Sequence, residues 1–400
     1  MKKFDLVSFG DTVVDFTPAG KTNKGTNLYE RNPGGSTSNV ACGVSRLGKK
    51  VAVMSAVGDD VIGHYLSQVL VENNIDVSSL VFTPNYSTFL AFVDIDETGN
   101  RTFYSLSNGV NDASLRGFTL NDVDKQMLLE TRIFHTSGCT FVYDTTRAVT
   151  QYAMQVVKEA GGIISFDLNW RPFLFDKKFA EEFIIPYLCK IDILKLSDSD
   201  LEFLVGSTDI KDGCQKLHQL GVRFVAVTLG SNGSYYSYSG GAAFQDTYDT
   251  TVIDTTGSGD TFMAAILAGI LSTEKDIDEI PNEQMYDIVD FANAAGALGR
   301  AEAEAGADGS AGLCTGQADG AGASPAAAGR SDTSHYYGKA ESLYSPCGVS
   351  GCHEPAEGSG PGLCHGPERR GPCAEKQRGS GHWRPGSCDP WQRRVHRRGG

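Results

Sequence analysis

Short apolar runs rich in Val, Ile and Phe alternate with longer amphipathic stretches along the first 300 residues. The runs predict buried β-strands, and the stretches between them carry apolar residues at helical spacing. Strands that alternate with helices indicate an α/β fold, with a mostly parallel sheet flanked by helices. The predicted strands cover residues 4–10, 50–58, 132–138, 162–168, 191–197 and 223–230, and the predicted helices include residues 38–48, 61–74 and 146–161.

A second pattern occupies a more polar part of the chain. Residues 90–96 and 101–107 are apolar segments on either side of the stretch ETGN, which predicts a β-hairpin. Together with residues 26–31, the hairpin predicts a small β-sheet, and we assign this lid to about residues 12–32 and 89–108. A small sheet beside an α/β core is typical of a substrate lid, and the alternative is a surface hairpin without function.

The composition changes near residue 299. The last hundred residues contain 20 of the 47 Gly, 8 of the 14 Pro and 6 of the 10 Cys, with three Leu, two Val and no Ile, Phe or Met. So few large aliphatic side chains cannot bury enough apolar surface to offset chain entropy. We therefore predict a folded domain over residues 1–299 and a disordered tail over residues 300–400. A shifted reading frame through GC-rich codons produces such a composition, so we interpret the tail as a non-native frameshift product.

The charge excludes some classes of partner. The net charge of −14 lies in the first 300 residues, because the last hundred carry 11 acidic and 11 basic side chains. An acidic domain is a poor nucleic-acid binder, since phosphate contacts need clustered Lys and Arg. The sequence contains no apolar run of about 18 residues, so we expect no membrane-spanning helix. Asp5 and Asp11 interrupt any apolar stretch of a signal peptide. We expect a cytoplasmic protein that binds neither nucleic acid nor membranes.

The densest chemical signal is the segment DTTGSGD at residues 254–260, which leads directly into an apolar helical pattern. Gly257 and Gly259 allow backbone N–H groups to approach a ligand, and the helix N-terminus adds positive partial charge, so the turn suits a phosphate. Asp260 falls in the first helical turn. It is either a carboxylate that stabilises the helix end, or a base that takes a hydroxyl proton while the turn holds a transferring phosphoryl group.

A second glycine cluster lies near the N-terminus, in NPGGSTSNV at residues 32–40. Gly34 and Gly35 open a predicted helix whose first turns carry Asn39, and the Asn39 amide suits hydroxyl groups. Asp15 is predicted to follow the first strand, where it holds two vicinal hydroxyls or simply ends the strand. The alternative for this cluster is an ordinary turn and helix cap. Neither a P-loop nor a dinucleotide fingerprint accompanies these segments.

The two glycine clusters, about 220 residues apart, resemble the two signatures of the ribokinase-like PfkB carbohydrate kinases. Further matching segments in the same order are VGDDVIG, FDLNWRP, KLSDSDLEFLVG, VTLGSNG and FANAAGAL. Within that family the sequences of these motifs are most similar to those of bacterial fructokinases. The resemblance implies a ribokinase-like fold and phosphoryl transfer from ATP, with Mg²⁺, to a sugar hydroxyl. Alternatives are a kinase for ribose or 2-keto-3-deoxygluconate, for which Arg101 is the candidate cation, and a catalytically inactive sugar-binding relic.

The resemblance implies a role for each matching position. Asp260 corresponds to the catalytic base, and the backbone N–H groups of Gly257, Ser258 and Gly259 correspond to the anion hole. The positions that match sugar-binding and phosphate-proximal residues are Asp15, Gly34, Gly35, Asn39, Asn169 and Arg171, and Arg171 is equally consistent with a structural ion pair. The positions that match the nucleotide site are Thr228, Gly230, Gly233 and Asn293.

Two departures from the family pattern concern the metal sites and the C-terminal end. Many relatives carry Asn-x-x-Glu for the hydrated Mg²⁺, and the aligned residues here are Ser197 and Asp200, so Asp200 is expected to reach the ion through a water. Asp254 and Thr256 match a monovalent-cation site, which suits K⁺. The family's closing elements are not recognisable after Gly299. The resemblance also allows a homodimer formed through the lid.

Overall fold

The predicted apolar runs form six strands of a nine-stranded sheet in the computed structural model, which describes residues 2–95, 101–105, 112–248 and 257–301. Every described residue belongs to one compact unit. The described strands are β1 (Phe4–Phe9), β2 (Val13–Lys21), β3 (Asn27–Gly34), β4 (Val51–Gly58), β5 (Ile75–Thr83), β6 (Leu90–Ile95), β7 (Arg101–Ser105), β8 (Thr131–Ser137), β9 (Ile163–Asp167), β10 (Ile193–Ser197), β11 (Phe224–Thr228), β12 (Ser234–Tyr238) and β13 (Gly241–Gln245).

Helices connect these strands. The described α-helices are α1 (Ser36–Arg46), α2 (Val61–Glu72), α3 (Ala113–Arg116), α4 (Lys125–Leu129), α5 (Asp144–Glu159), α6 (Lys177–Phe179), α7 (Asp198–Val205), α8 (Ile210–Gln219), α9 (Ser258–Thr273) and α10 (Asn282–Ala301). Short 3₁₀ turns lie at Leu120–Asp122, Gly138–Phe141, Ile185–Lys190, Gly230–Asn232 and Ile277–Glu279, and a π-helical turn at Ala180–Ile184. None of the helices in this part of the chain is long and apolar enough to cross a bilayer.

The large sheet has the order β13-β12-β11-β10-β9-β8-β1-β4-β5. Its strands are parallel from β11 to β5, and β12 pairs antiparallel with both β11 and β13. The prediction of a mostly parallel sheet flanked by helices is therefore confirmed. The strand list was incomplete, because β2, β5, β12 and β13 were not among the predicted runs. The strands β12 and β13 lie at the sheet edge and are rich in Ser, Tyr, Gly and Ala, so they lack an apolar run.

Both faces of the large sheet are buried, and this explains the continuous apolar runs. Successive strand residues point to opposite faces, so Leu6 and Val7 of β1 fall into two different core clusters, as do Ile133 and Phe134 of β8. One cluster includes residues of α5, α7 and α8, and the other includes residues of α1, α2, α9 and α10. The helix that carries the Gly-rich turn, α9, thus packs on the same face as α1.

The predicted small sheet is also present, with the order β3-β2-β6-β7. Its β6–β7 pair is the predicted hairpin, and β2 joins it in parallel with β6. An aromatic cluster lies on one face of this sheet, where Phe16 stacks on Phe92 with ring centroids 5.0 Å apart and Tyr29 meets Phe92 edge-on at 5.6 Å. The part of the predicted lid after residue 105 and the predicted tail beyond residue 301 lie outside the described residues. The lid function remains a prediction.

Asp60 fixes the point at which the chain returns to the small sheet, just before β6. Its carboxylate caps α2 by accepting the backbone N–H of Gly63 at 2.8 Å, and it also accepts the backbone N–H and the hydroxyl of Thr88, each at 2.9 Å. These hydrogen bonds lower the pKa of Asp60 against the opposing effect of its burial. Since Thr88 lies two residues before β6, one carboxylate joins a core helix to a strand of the small sheet.

We expect Asp60→Ala to lower the free energy of unfolding by about 2–3 kcal/mol, because it removes a helix cap and the hydrogen bonds to Thr88. The matched control is Asp209→Ala, which removes the Asp209 cap of α8, a side chain that accepts the backbone N–H of Asp212 at 2.9 Å, and should lose about 1 kcal/mol. Urea denaturation of both variants measures the difference. Equal losses in the two variants would contradict the proposed anchoring of β6.

Candidate active site

The sequence-predicted site residues gather where the parallel strands of the large sheet end. The backbone of β1 leads into Asp11, β9 ends at Asp167, and β11 ends at Thr228. Helix α9 begins at the same edge, after Gly257, whose φ of 75° lies in the left-handed region that favours glycine. The turns that directly precede α1 and α9 are brought together near the carboxyl edge of the sheet, where a parallel α/β fold is expected to bind its ligands.

A hydrogen bond joins the two glycine signatures directly. The Asn39 amide Nδ2 donates to Asp260 Oδ2 at 2.8 Å, across 221 residues of sequence. Burial raises the pKa of Asp260 to about 6, helped by the nearby Asp167 carboxylate and opposed by Lys195 and by the Asn39 hydrogen bond. A carboxyl group with this pKa titrates close to neutral pH, which suits a group that exchanges a proton with a ligand.

Asp11, which sequence reasoning treated only as a break in a signal-peptide stretch, holds the first turn of α1. Its carboxylate accepts the backbone N–H of Ser36 at 2.6 Å and the Thr37 hydroxyl at 3.2 Å, and its backbone carbonyl accepts the Ser38 hydroxyl at 2.9 Å. Gly35 has a φ of 103°, and a Cβ there would overlap the Asp11 carbonyl group. Gly35 is therefore required by the backbone geometry of the turn.

Asp15 follows β1 in the chain, as expected, but it lies within the next strand, β2, and so does not mark a strand end. The chain turns after β1 and enters the small sheet at Val13, so Asp15 pairs in register with Asn32 of β3 and Ala91 of β6. Its carboxylate lies against Gly34, where an added Cβ would overlap Asp15 Oδ2. The small sheet thus brings Asp15 beside the Gly34–Gly35 turn, which leads into the helix that carries Asn39.

A buried ion pair lies under the Gly-rich turn. Lys195 Nζ donates to Asp167 Oδ2 at 2.9 Å, and the two residues are 8% and 0% exposed. Neither was predicted as a site residue. The available signal was a single Lys in the otherwise apolar run of β10, on the strand that pairs with the end of β9. Such a residue is expected to be paired, because an isolated charge is unfavourable in a core.

Asn169 and Arg171 follow β9 closely. Asn169 adopts a φ of 43°, which is uncommon for a residue other than glycine, and its backbone N–H donates to Asp167 Oδ1 at 3.1 Å. Arg171 is exposed, and its guanidinium donates to the Trp170 carbonyl at 3.2 Å. No ion pair between Arg171 and another described residue is observed, and both interpretations of Arg171 stay predictions.

The four residues predicted for a nucleotide line one cavity of about 170 Å³ beside the Gly-rich turn. It is lined by Thr228, Gly230, Gly233, Ser258, Gly259, Phe262, Asn293 and Gly296. The Asn293 amide donates to Gln245 Oε1 of β13 at 3.1 Å, which orients it within the wall. The Ser258 hydroxyl donates to the Gly296 carbonyl at 2.7 Å and ties the Gly-rich turn to α10.

The residues predicted for metal ions are described only in part. Asp200 is 8% exposed and belongs to a capping box at the start of α7, where its carboxylate accepts the backbone N–H of Ser197 at 3.0 Å. Asp254 and Thr256, predicted for a monovalent cation, lie outside the described residues. Within the described ranges, no cluster of three or more His, Cys, Asp or Glu side chains is arranged to hold a metal ion.

Comparison with known proteins identifies what this arrangement resembles. The profile of the pfkB family carbohydrate kinases matches residues 3–309. The Arabidopsis thaliana protein "Probable fructokinase-2" is 35% identical over 300 residues, which cover 73% of this chain and 89% of that protein. The crystal structure of a fructokinase from Xylella fastidiosa with bound ATP superposes with a TM-score of 0.67 at 25% identity, over 74% of this chain and 91% of that one.

A second similar solved structure contains a bound sugar. The fructokinase of Vibrio cholerae O395, in a form with bound fructose, ADP and calcium ion, superposes with a TM-score of 0.65 at 28% identity. The match covers 74% of this chain and 93% of that chain. The ribokinase-like architecture expected from the sequence is therefore confirmed.

The raised pKa of Asp260 predicts a pH-dependent difference in stability. A carboxyl group whose pKa is higher in the folded state destabilises the fold once it ionises, so Asp260→Asn should be more stable than the parent above about pH 6. The difference should close as the pH falls from 6 towards 4. Thermal unfolding between pH 4 and 8 measures it.

The matched control for this prediction has the opposite sign. Hydrogen bonds from Lys216 and Ser207 lower the pKa of Asp212, so Asp212→Asn should be less stable than the parent at pH 8. If Asp260→Asn were as stable as the parent at every pH, the environment described for Asp260 would be wrong.

Proposed function

We propose that this chain, which belongs to the pfkB family of carbohydrate kinases, phosphorylates fructose from ATP with Asp260 as the general base. Membership of the family makes the chain an ATP-dependent sugar kinase. Fructose is the proposed sugar because the relatives described above, one from a plant and two from bacteria, are named fructokinases. As a kinase in carbohydrate metabolism without a membrane-spanning helix among its described residues, the protein is proposed to act in the cytoplasm.

The hydrogen bond between Asn39 and Asp260 is the observation that supports the mechanism best. It brings the carboxylate at the start of α9 against the helix that begins with the Gly34–Gly35 turn. A sugar that lies against Asp15 and Asn39 would therefore present a hydroxyl group to Asp260. The same carboxylate is two residues from Ser258, which lines the proposed nucleotide cavity.

The proposed reaction proceeds by in-line transfer of a phosphoryl group. Asp260 accepts the proton as the sugar oxygen forms a bond to the γ-phosphorus, and the bond from that phosphorus to the bridging oxygen of ATP breaks to release ADP. The backbone N–H groups of Gly257, Ser258 and Gly259 would stabilise the transferring group, together with the positive end of α9. The Ser258–Gly296 hydrogen bond holds this turn in place before the substrates bind.

The cavity of about 170 Å³ is the proposed nucleotide site, with Thr228, Gly230, Gly233 and Asn293 in its wall. The Mg²⁺ that accompanies ATP prefers oxygen ligands, and the Asp200 carboxylate supplies oxygens of that kind close to the Asp167–Lys195 pair. The Asp200 carboxylate already accepts the backbone N–H of Ser197 in the capping box of α7. We therefore propose that it holds Mg²⁺ through a water. A K⁺ site at Asp254 and Thr256 remains a proposal about residues outside the described ranges.

Other sugar substrates, a homodimer and an inactive sugar-binding form remain alternative proposals that experiment can test. A kinase for ribose or 2-keto-3-deoxygluconate is the first, and Arg101, whose backbone lies in β7, is the cation proposed for a sugar acid. A homodimer through the small sheet is a second proposal, which the oligomeric state in solution tests. An inactive sugar-binding relic is the third, and it would bind fructose without forming ADP.

We expect Asp260→Asn to lower kcat by at least about 100-fold, because Asn retains the size of Asp but cannot accept the hydroxyl proton. A coupled ADP-release assay with fructose, ribose and 2-keto-3-deoxygluconate measures both turnover and sugar preference. The KM for the sugar should change little. Near-parental turnover of Asp260→Asn would refute the base assignment, and activity confined to a sugar other than fructose would refute the fructokinase assignment alone.

We expect Gly34→Ala to raise the KM for the sugar by at least about tenfold, because the added methyl group displaces the Asp15 carboxylate and so removes a charged hydrogen bond to a sugar hydroxyl. The KM for ATP should stay within about twofold of the parental value, as the change lies outside the nucleotide cavity. The control is Gly25→Ala in the same β2–β3 hairpin, where an added Cβ meets no atom within 4 Å but the φ of 77° strains the backbone, so this variant disturbs the hairpin without displacing Asp15. An unchanged sugar KM in Gly34→Ala would contradict the proposed role of Asp15.

A further inference from the structure

Lys195 lies directly beneath the turn proposed as the anion hole. Its Nζ is 2.8 Å from the position that a Cβ on Gly259 would occupy, so the ammonium group packs against the Gly259 α-carbon. Lys195 shares a sheet face with Ile193, which belongs to the core cluster that contains residues of α9. Asp167, on the neighbouring strand, pairs in register with Lys195 and accepts its hydrogen bond at 2.9 Å.

This is an unfavourable place for a cation unless nearby carboxylates compensate it. The N-terminus of α9 carries positive partial charge, which repels an ammonium group, and burial removes the ammonium from water. The carboxylates that act on Lys195 are Asp167, which accepts its hydrogen bond, and then Asp260 and Asp200. A purely structural pair would need only the Asp167 carboxylate. The position under the turn therefore requires a second explanation.

The groups that face Asp260 provide that explanation. Asp11 faces it from the loop after β1, Asn39 from α1, Asp167 from β9 and Lys195 from β10. Two of these groups are carboxylates that disfavour a charged Asp260, and Asn39 is neutral. Among the described groups acting on Asp260, Lys195 is thus the one that carries positive charge.

We propose that Lys195 is a positioning residue for phosphoryl transfer, whose ammonium group keeps Asp260 in its charged form from beneath the Gly257–Gly259 turn. The inference rests on the proposed role of Asp260 as the base. Only a charged carboxylate can accept the sugar proton, so a cation under the turn makes the base effective at neutral pH. Asp167 holds the ammonium group in place, although the Asp167 carboxylate also repels the charged form of Asp260.

The electrostatics of neighbouring groups agree with this geometry. Burial lowers the pKa of Lys195, but Asp167, Asp260 and Asp200 raise it to a net value above that of an ordinary Lys, so the side chain stays charged. Burial lowers the pKa of His135 to about 4. The His135 imidazole, which contacts Ser165 at 2.9 Å on the same sheet face, is therefore neutral near pH 7 and does not replace the Lys195 charge.

The test compares the pH dependence of kcat in Lys195→Met and Asp167→Asn of the full chain with fructose and MgATP. In Lys195→Met the acid limb of kcat should move to higher pH by about one unit, so that kcat at pH 6 is about fivefold lower, relative to the plateau, than in the parent. In Asp167→Asn the acid limb should move to lower pH, because a repelling carboxylate is removed. The KM for ATP should change by less than about threefold in both.

The matched control is Lys158→Met. Lys158 Nζ also donates to a buried carboxylate, Asp192 Oδ1 at 2.9 Å, but Lys158 lies on α5, which packs on the opposite face of the large sheet from α9. Its acid limb should coincide with the parental one. Shifts in the same direction in Lys195→Met and Asp167→Asn would indicate general damage to the site and would overturn the proposal.

A second readout needs no turnover. In the Lys195→Met background, the stability gained from Asp260→Asn should be larger, by about tenfold in the unfolding equilibrium constant at pH 8, and should level off about one pH unit higher than in the parental background. The double variant Lys195→Met, Asp167→Asn removes both charges of the Lys195–Asp167 pair and should return the acid limb towards the parental position, should Lys195→Met alone not fold. A parental pH profile in Lys195→Met, with Asp260→Asn inactive, would overturn the role of Lys195 alone. An active Asp260→Asn would instead overturn the base assignment on which it rests.

Discussion

The hydrogen bond from Asn39 to Asp260 is the contact on which the rest of the site depends. It joins α1 to α9, two helices that pack on the same face of the large sheet through Val40, Val44 and Phe262 of one core cluster. The apolar core sets the distance between the helices, and the Asn39–Asp260 contact sets their polar ends in register. The sugar side and the phosphate side of the proposed active site therefore share one boundary, and Asp260 lies at it.

The site concentrates charge in a way that a merely stable protein would avoid. The carboxylates of Asp11 and Asp167 both act on the buried Asp260, and Lys195 compensates their effect on Asp260 only in part. Replacing a buried pair by apolar residues is often neutral or stabilising, so stability alone does not explain a Lys in the centre of β10. The concentration of carboxylates and the buried Lys in β10 are both explained if the unliganded cleft is organised for a phosphorylated ligand and a proton acceptor. Part of the folding free energy is then given up for that purpose.

Local sequence patterns predicted the parts of the molecule that depend on local rules. Apolar runs gave the central strands, because strands buried on both faces must be apolar throughout, and the two Gly clusters located the turns before α1 and α9. The patterns did not reveal β12 and β13 at one end of the large sheet, whose residues are only partly apolar, nor the place of Asp15 inside β2. Asp11 and Lys195 were missed because their importance comes from neighbours far along the chain, which spacing alone does not encode.

In the proposed mechanism, Asp260 lies between the sugar hydroxyl and the transferring phosphoryl group. A crystal structure of the full chain with fructose and a non-hydrolysable ATP analogue would show this arrangement. We expect a fructose hydroxyl within about 3.2 Å of an Asp260 oxygen, the γ-phosphate over the Gly257–Gly259 turn, and the adenosine in the cavity lined by Asn293. A fructose that binds with all its hydroxyls facing away from Asp260, or a nucleotide bound elsewhere, would contradict it.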